Sequence, residues 1–148
     1  NYATGQVAQR VGPLPWAAST RVLNWLAAMN QRGFNVYVGV NAIRNGHRTR
    51  TREAIAAVRH VFSEADHDGA AVLKGIRSRD DLPAPSYVLH SSPNRLHVFW
   101  RAENFDPPGV ERLQKLLALQ LGTDPAATPV TQTTRLPGFF NRKYAEPH

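Results

Sequence analysis

Two short runs rich in strand-forming residues, Ser86–His90 and Leu96–Ala102, flank the segment Ser91-Ser92-Pro93-Asn94-Arg95. No other feature constrains the fold as strongly. The flanking runs favour extended backbone and the Ser-Pro-Asn segment favours a turn, so the sequence predicts an antiparallel hairpin. A two-stranded hairpin is marginal in water and needs further strands or a helix against one face. The chain offers both. Asp106-Pro107-Pro108-Gly109 opens a helix over Val110–Leu121, with apolar positions at Leu113, Leu116, Leu117, Leu119 and Leu121, and Gly122 stops it. Apolar residues recur at helical spacing from Trp16 to Met29, and Gly33 closes that helix.

Asn35–Val40 and Val61–Asp66 read as further strands, and Ala70–Arg77 as a helix. Thr51 reads as an N-cap for a short helix running through Val58. Asp68 is placed to cap the helix that follows it. The expected fold class is α/β (α+β): a single domain with a mostly antiparallel sheet flanked by helices. Residues 1–34 form a lead-in and an N-terminal helix, and residues 35–148 the core. At 148 residues the length suits one domain. The chain opens without Met, so a segment of a longer protein is expected.

Charge narrows the function. Eighteen Lys and Arg against eleven Asp and Glu give a formal net charge of +7 and a sequence pI near 10.6. Such a field favours nucleic acid and other polyanions. With no cysteine, disulfides and thiolate metal sites are excluded. No apolar run reaches the roughly 18 residues of a membrane span, so no membrane partner and a cytoplasmic location are expected.

Against this basic background stands one acidic strand end, Val61-Phe62-Ser63-Glu64-Ala65-Asp66-His67-Asp68-Gly69. In a strand, Glu64 and Asp66 leave the same face with Cα atoms about 7 Å apart. Paired carboxylates repel unless something positive lies between them, and Mg²⁺ is commonly held by one or two carboxylates plus substrate phosphates. Three further groups carry suitable chemistry. His97 follows the hairpin turn and can donate a ring N–H to a phosphate oxygen. Asp124 sits in Gly122-Thr123-Asp124-Pro125, which also has the chemistry of a turn. Arg135, Asn141, Arg142 and Lys143 surround Pro137-Gly138, and a forked Arg with a Lys suits phosphate.

An acidic pair at a strand end, a Ser-containing turn leading to a strand His, and an Asp after a helix resemble the three motifs of the archaeo-eukaryotic primase superfamily. Those motifs are hDhD/E, S-x-H and a final acidic residue. The likeness is greatest to RepB-like DNA primase domains of plasmids and mobile elements. It runs from about Asn35 to His148 and is most specific in Arg135-Leu136-Pro137-Gly138-Phe139-Phe140-Asn141-Arg142-Lys143.

The resemblance implies a primase-type domain with an RRM-like core and two-metal-ion nucleotidyl transfer, making primers on single-stranded DNA with Mg²⁺ or Mn²⁺. It implies Glu64, Asp66 and Asp124 as catalytic metal ligands, and His97, Arg135, Asn141 and Lys143 as nucleotide-binding residues. Glu64 stands where the family pattern has Asp. In Ser91-Ser92-Pro93-Asn94-Arg95-Leu96-His97 the serines lie further from the His than S-x-H prescribes. The implied partners are a single-stranded DNA template, nucleoside triphosphates, and helicase or relaxase segments of the same replicon.

Two other classes of function compete. One is a catalytically inactive single-stranded nucleic-acid-binding module on the primase fold, with Phe99, Trp100, Phe139 and Phe140 as stacking residues. The other is a metal-dependent or rolling-circle nuclease, which needs a His-hydrophobic-His pair and a nucleophilic Tyr. Its nearest candidates, His90 and His97, do not have that spacing.

Overall fold

A computed structural model describes every residue except Tyr2, Ala145 and Pro147. Helices and strands run in the order α1 (Leu14–Ala17), α2 (Thr20–Gln31), β1 (Tyr37–Gly39), β2 (Ala42–Ile43), β3 (Ile55–Ala57), β4 (His60–Ala65), α3 (Gly69–Arg77), β5 (Tyr87–Ser92), β6 (Arg95–Arg101), α4 (Pro107–Leu121) and β7 (Thr133–Arg135), with a 3-10 turn at Pro125–Ala127.

The predicted hairpin is β5–β6, and its turn is shorter than the sequence suggests. Pairing already begins at Ser92 and Arg95, leaving Pro93 and Asn94 as the loop. Asn94 takes a left-handed φ of 59°, which Asn tolerates better than most residues. A register irregularity between His90 and Ser92 bulges the strand at Ser91. β4 adds to the free edge of β6, giving the antiparallel order β4-β6-β5.

The two faces of this sheet have different fates. Val61 and Ala65 of β4, with Leu96, Val98 and Trp100 of β6, pack against Leu73 and Ile76 of α3 and Val110 and Leu117 of α4. The other face presents Phe62, Phe99 and Leu89 to Val40 and Ala127. Over that face lies a second antiparallel pair, β1–β7, with Tyr37 opposite Arg135 and Gly39 opposite Thr133. One face is therefore helix-covered core, and the other is only partly closed by a short two-stranded ribbon.

α4 begins and ends as its sequence predicts. The Asp106 carboxylate accepts from the Gly109 N–H at 2.7 Å, and Gly122 takes the left-handed C-cap at φ 63°. Val110 and Leu117 are buried, whereas Leu116 and Leu119 of the same periodic run are exposed.

Three expectations need correction. The pattern from Trp16 to Met29 is broken into α1 and α2, because Ser19 takes the N-cap of α2 and accepts from the Val22 N–H. The segment after Thr51 is not a helix. Thr51 opens a turn, its carbonyl accepting from the Ala54 N–H at 3.1 Å, and Ile55–Ala57 then pairs as a strand with β2. Burying Ile55 in the main core favours the strand. Asp68 does stand at the N-cap of α3, with φ 47°, but its side chain makes no capping bond.

Irregular segments are tied down by buried side-chain amides. Asn41 donates to the Val130 carbonyl and accepts from the Arg59 N–H. Gln114 of α4 accepts from the Phe62 N–H and donates to the Thr128 carbonyl. Asn30 of α2 donates to the carbonyls of Phe34 and Phe140. Each amide satisfies backbone groups that have no ladder partner, which would be costly to bury unpaired.

Candidate catalytic and nucleotide-binding cleft

Where the open face of the sheet meets the β1–β7 ribbon there is a cleft of about 380 Å³. Glu64, Asp66, His97, Arg135, Asn141 and Lys143 all line it, so six of the seven residues singled out from the sequence meet there. Asp124 does not line it.

Glu64 and His97 are direct cross-strand neighbours on β4 and β6. His97 Nε2 lies 3.2 Å from Glu64 Oε1, and its Nδ1 lies 2.7 Å from the Thr134 hydroxyl on β7. An ionised carboxylate only accepts, so Nε2 carries the proton; in the neutral ring Nδ1 accepts from Thr134. The imidazole is buried, and its edge also meets the Phe62 ring at a centroid distance of 5.4 Å. Its orientation is thus fixed from three sides.

Asp66 lies just past the end of β4. Its carboxylate is half-exposed and stands 3.4 Å from Arg95 Nη1. Such an exposed pair contributes at most about 1 kcal/mol, so the carboxylate is available to a stronger partner.

On the ribbon side, Arg135 Nη1 donates to Asn35 Oδ1 at 3.1 Å, and its guanidinium lies over the Tyr37 ring at 5.0 Å. Arg95, Arg135 and Lys143 put three cationic side chains into a cleft that holds two carboxylates. The Tyr144 phenol, also in the lining, reports that field. Its pKa is lowered first by its hydrogen bond to the Ser92 hydroxyl, and then by the nearby charges of Arg95, Lys143 and Arg135.

Asn141 is buried beneath the cleft floor. Its side-chain N–H donates to the Ser91 carbonyl at 3.0 Å, and its oxygen accepts from the Lys143 N–H at 3.0 Å. It therefore docks the terminal segment onto the bulge of β5 and aims Lys143. Gly138, at φ 88°, makes the turn that brings this segment back. Asn141→Ala leaves the buried Ser91 carbonyl without its partner, which costs about 1–3 kcal/mol. The expected result is a lower melting temperature by circular dichroism. An unchanged melting temperature would show that the segment carrying Lys143 is held by other means.

Asp124 occupies a neighbouring position. Its N–H donates to the Glu64 carbonyl at 2.8 Å, which places its backbone against the edge of β4. Its carboxylate caps the 3-10 turn instead, accepting from the Ala126 N–H at 2.8 Å. Among the described residues no cluster of three or more His, Asp and Glu side chains is arranged to hold a metal ion. Glu64 and Asp66 share the cleft lining as hard oxygen donors, a set that suits one divalent cation completed by phosphate and water.

Asn35, Arg95 and Tyr144 line the cleft with no sequence signal that marks them for a site. Arg95 stands out only as a turn residue. Ser92 pairs directly with Arg95, two residues before His97, so the serines reach the cleft from the opposite strand. The aromatic candidates divide. Phe99 and Trp100 are buried, and the Trp100 indole N–H donates to the Pro83 carbonyl, so both are core. Phe140 is exposed and lies against the Arg142 guanidinium at 5.1 Å.

No helix among the described residues is long and apolar enough to cross a membrane. No curated protein sequence matches the chain. Solved structures do. The catalytic domain of primase RepB′, solved in complex with initiator DNA, is similar with a TM-score of 0.70 and 23% identity, covering 95% of this chain and 65% of that one. The archaeo-eukaryotic primase domain of the cyanophage S-2L primase-polymerase gives a TM-score of 0.68 at 23% identity, over 87% of this chain and 66% of that one. A second RepB′ structure gives 0.63 at 23% identity, over 85% of this chain and 38% of that one. At such identity these likenesses speak for the fold, and this chain spans at most 66% of those chains. The sequence profile of the RepB DNA-primase N-terminal domain matches residues 3–148. With a mixed helical and antiparallel architecture shared with primase catalytic domains, and a profile match over nearly its whole length, the chain belongs to the RepB DNA-primase N-terminal domain family.

Proposed function

We propose that residues 1–148 form a primase catalytic domain that synthesises primers on a single-stranded DNA template from nucleoside triphosphates, with Mg²⁺ or Mn²⁺. The observation that carries this reading is the meeting of two carboxylates, one oriented histidine and three cationic side chains in one cleft. Glu64 and Asp66 would hold the cation, which when bound supplies charge neutralisation at the triphosphate and acidifies the attacking hydroxyl. Asp124 would be the third ligand, with its carboxylate turned away from the Ala126 N–H; its backbone N–H already meets the Glu64 carbonyl.

The chain's own groups position the nucleotide. Arg95, Arg135 and Lys143 balance the triphosphate charge, and they are in place before it arrives. A phosphate oxygen approaching the Glu64 edge of His97 can take over the Nε2–H. Thr134 keeps the other ring nitrogen, so the imidazole changes acceptor without turning.

The test combines purified domain, single-stranded template, labelled nucleotides and a divalent cation. Template-dependent products that vanish with chelator and fall in Asp124→Ala are expected. Absence of synthesis with either metal, together with salt-sensitive single-stranded DNA binding, would sink the enzymatic reading and leave a binding module on the primase fold. The setting implied by family membership, a plasmid or mobile element with helicase or relaxase segments, belongs to the same proposal.

A further inference from the structure

Away from the cleft, the densest unexplained charge lies on the connection between β2 and β3. Residues 44–54 carry Arg44, Arg48, Arg50 and Arg52 ahead of the first acidic residue, Glu53. A solvated basic loop needs no anchors, but this one has two. Arg50 Nε donates to the Thr131 carbonyl, and Arg52 pairs with Glu111 of α4. The other Glu111 oxygen accepts from the Val130 N–H at 2.9 Å, so the loop is fastened to α4 and to the 128–131 segment together.

The fastening creates a second concave site of about 360 Å³, lined by Arg50, Arg52, Lys115, Thr128 and Thr131 among others. Glu111 is the one acidic residue in that lining, and Arg52 already balances it. Arg50 and Lys115 therefore leave the site net positive, with Arg44 and Arg48 exposed on the same connection. Its lining contains no aromatic ring, so it suits phosphate oxygens rather than stacked bases. It also adjoins the catalytic cleft: Thr131 lines the second site, and the next residues, Gln132 and Thr133, line the first.

We propose that this hairpin site is a separate nucleic-acid contact, gripping the sugar-phosphate backbone of single-stranded DNA that passes beyond the catalytic cleft. It borrows from the primase reading only the class of partner. Binding of this kind is blind to sequence and strongly salt-dependent.

The double variant Arg48→Gln/Lys115→Gln tests it, because both side chains are exposed and neither lies in the catalytic cleft. Binding of a labelled oligo-dT of roughly 16 nucleotides is followed by anisotropy across a salt series. The plot of log affinity against log salt should become shallower by about 1.4, or about 0.7 for each single-strand phosphate that is no longer neutralised. The charge-preserving Arg48→Lys/Lys115→Arg should keep the wild-type slope. An unchanged slope in the Gln double variant, with an unchanged melting temperature, would overturn the proposal. The DNA grip and the primase activity can fail independently. Wild-type protein that makes no primer, with a Gln variant that still shows the slope change, keeps this grip and removes the primase. Wild-type protein that makes primer, with no slope change in the variant, does the reverse.

Discussion

Asp66→Asn is expected to lower template-directed synthesis by roughly a thousandfold if its carboxylate holds the proposed cation, since losing such a ligand forfeits several kcal/mol of transition-state stabilisation at about 1.4 kcal/mol per decade. The amide keeps the shape of the carboxylate and removes its charge. Folding should hardly notice, because the carboxylate is half-exposed and its approach to Arg95 is 3.4 Å long. The melting temperature should therefore move by no more than about 2 °C, an effect below roughly 1 kcal/mol. Single-stranded DNA binding should persist or tighten slightly, since a negative charge leaves a cleft that also holds Arg135 and Lys143. Synthesis within tenfold of wild type would remove Asp66 from the proposed metal site.

Phe62→Ala is expected to be the most destabilising of the simple truncations in this region, at about 3–5 kcal/mol. The ring is 1% exposed and packs on the second face of the main sheet with Val40 and Ala127, its centroid 5.1 Å from that of Phe99. At this chain length that corresponds to a fall in melting temperature of roughly 10–15 °C. The effect should reach the cleft, because the same ring holds the edge of His97. Phe62→Leu keeps most of the volume and should cost no more than about 1.5 kcal/mol. Thermal melts by circular dichroism decide the matter. A fall below about 3 °C for Phe62→Ala would mean that the neighbouring side chains collapse onto the space, so that the second face is not a packed layer.

What can be read from the sequence follows from how local each determinant is. α4 is legible at both ends because Asp106, Pro107 and Gly122 act on the backbone beside them. The β5–β6 hairpin is legible for the same reason, down to the turn but not to the bulge at Ser91. The β3 segment reads as a helix because what makes it a strand is its partner β2, only two residues long and on the far side of a basic loop. In the cleft, the residue types are visible one at a time, since paired carboxylates and a basic Pro-Gly segment stand out in any chain. Their partners are not. Nothing near His97 announces that Thr134 holds its ring, whereas Asp124-Pro125 already has the chemistry of the turn that the Asp124 carboxylate caps. Asn141 reads as a polar handle for the nucleotide, and no local pattern announces that its amide also clamps Ser91 and the Lys143 backbone beside the cleft.

The ribbon and its amide clamps also set the order in which the molecule can assemble. Arg135 meets Asn35 across 100 residues, and Asn30 meets Phe140 across 110. Each doubling of a closing loop costs only about 0.6 kcal/mol, so such long-range pairings are tolerated at equilibrium, but they slow the search for the native state. The β5–β6 hairpin and the capped α4 can form from neighbouring residues. The cleft cannot. Until β7 and the segment around Asn141 have docked, Asp66 and Glu64 face water without Arg135 or Lys143 opposite them. In a growing chain the acidic pair at Glu64 and Asp66 is therefore made before the cationic side chains at Arg135 and Lys143 that come to line the same cleft.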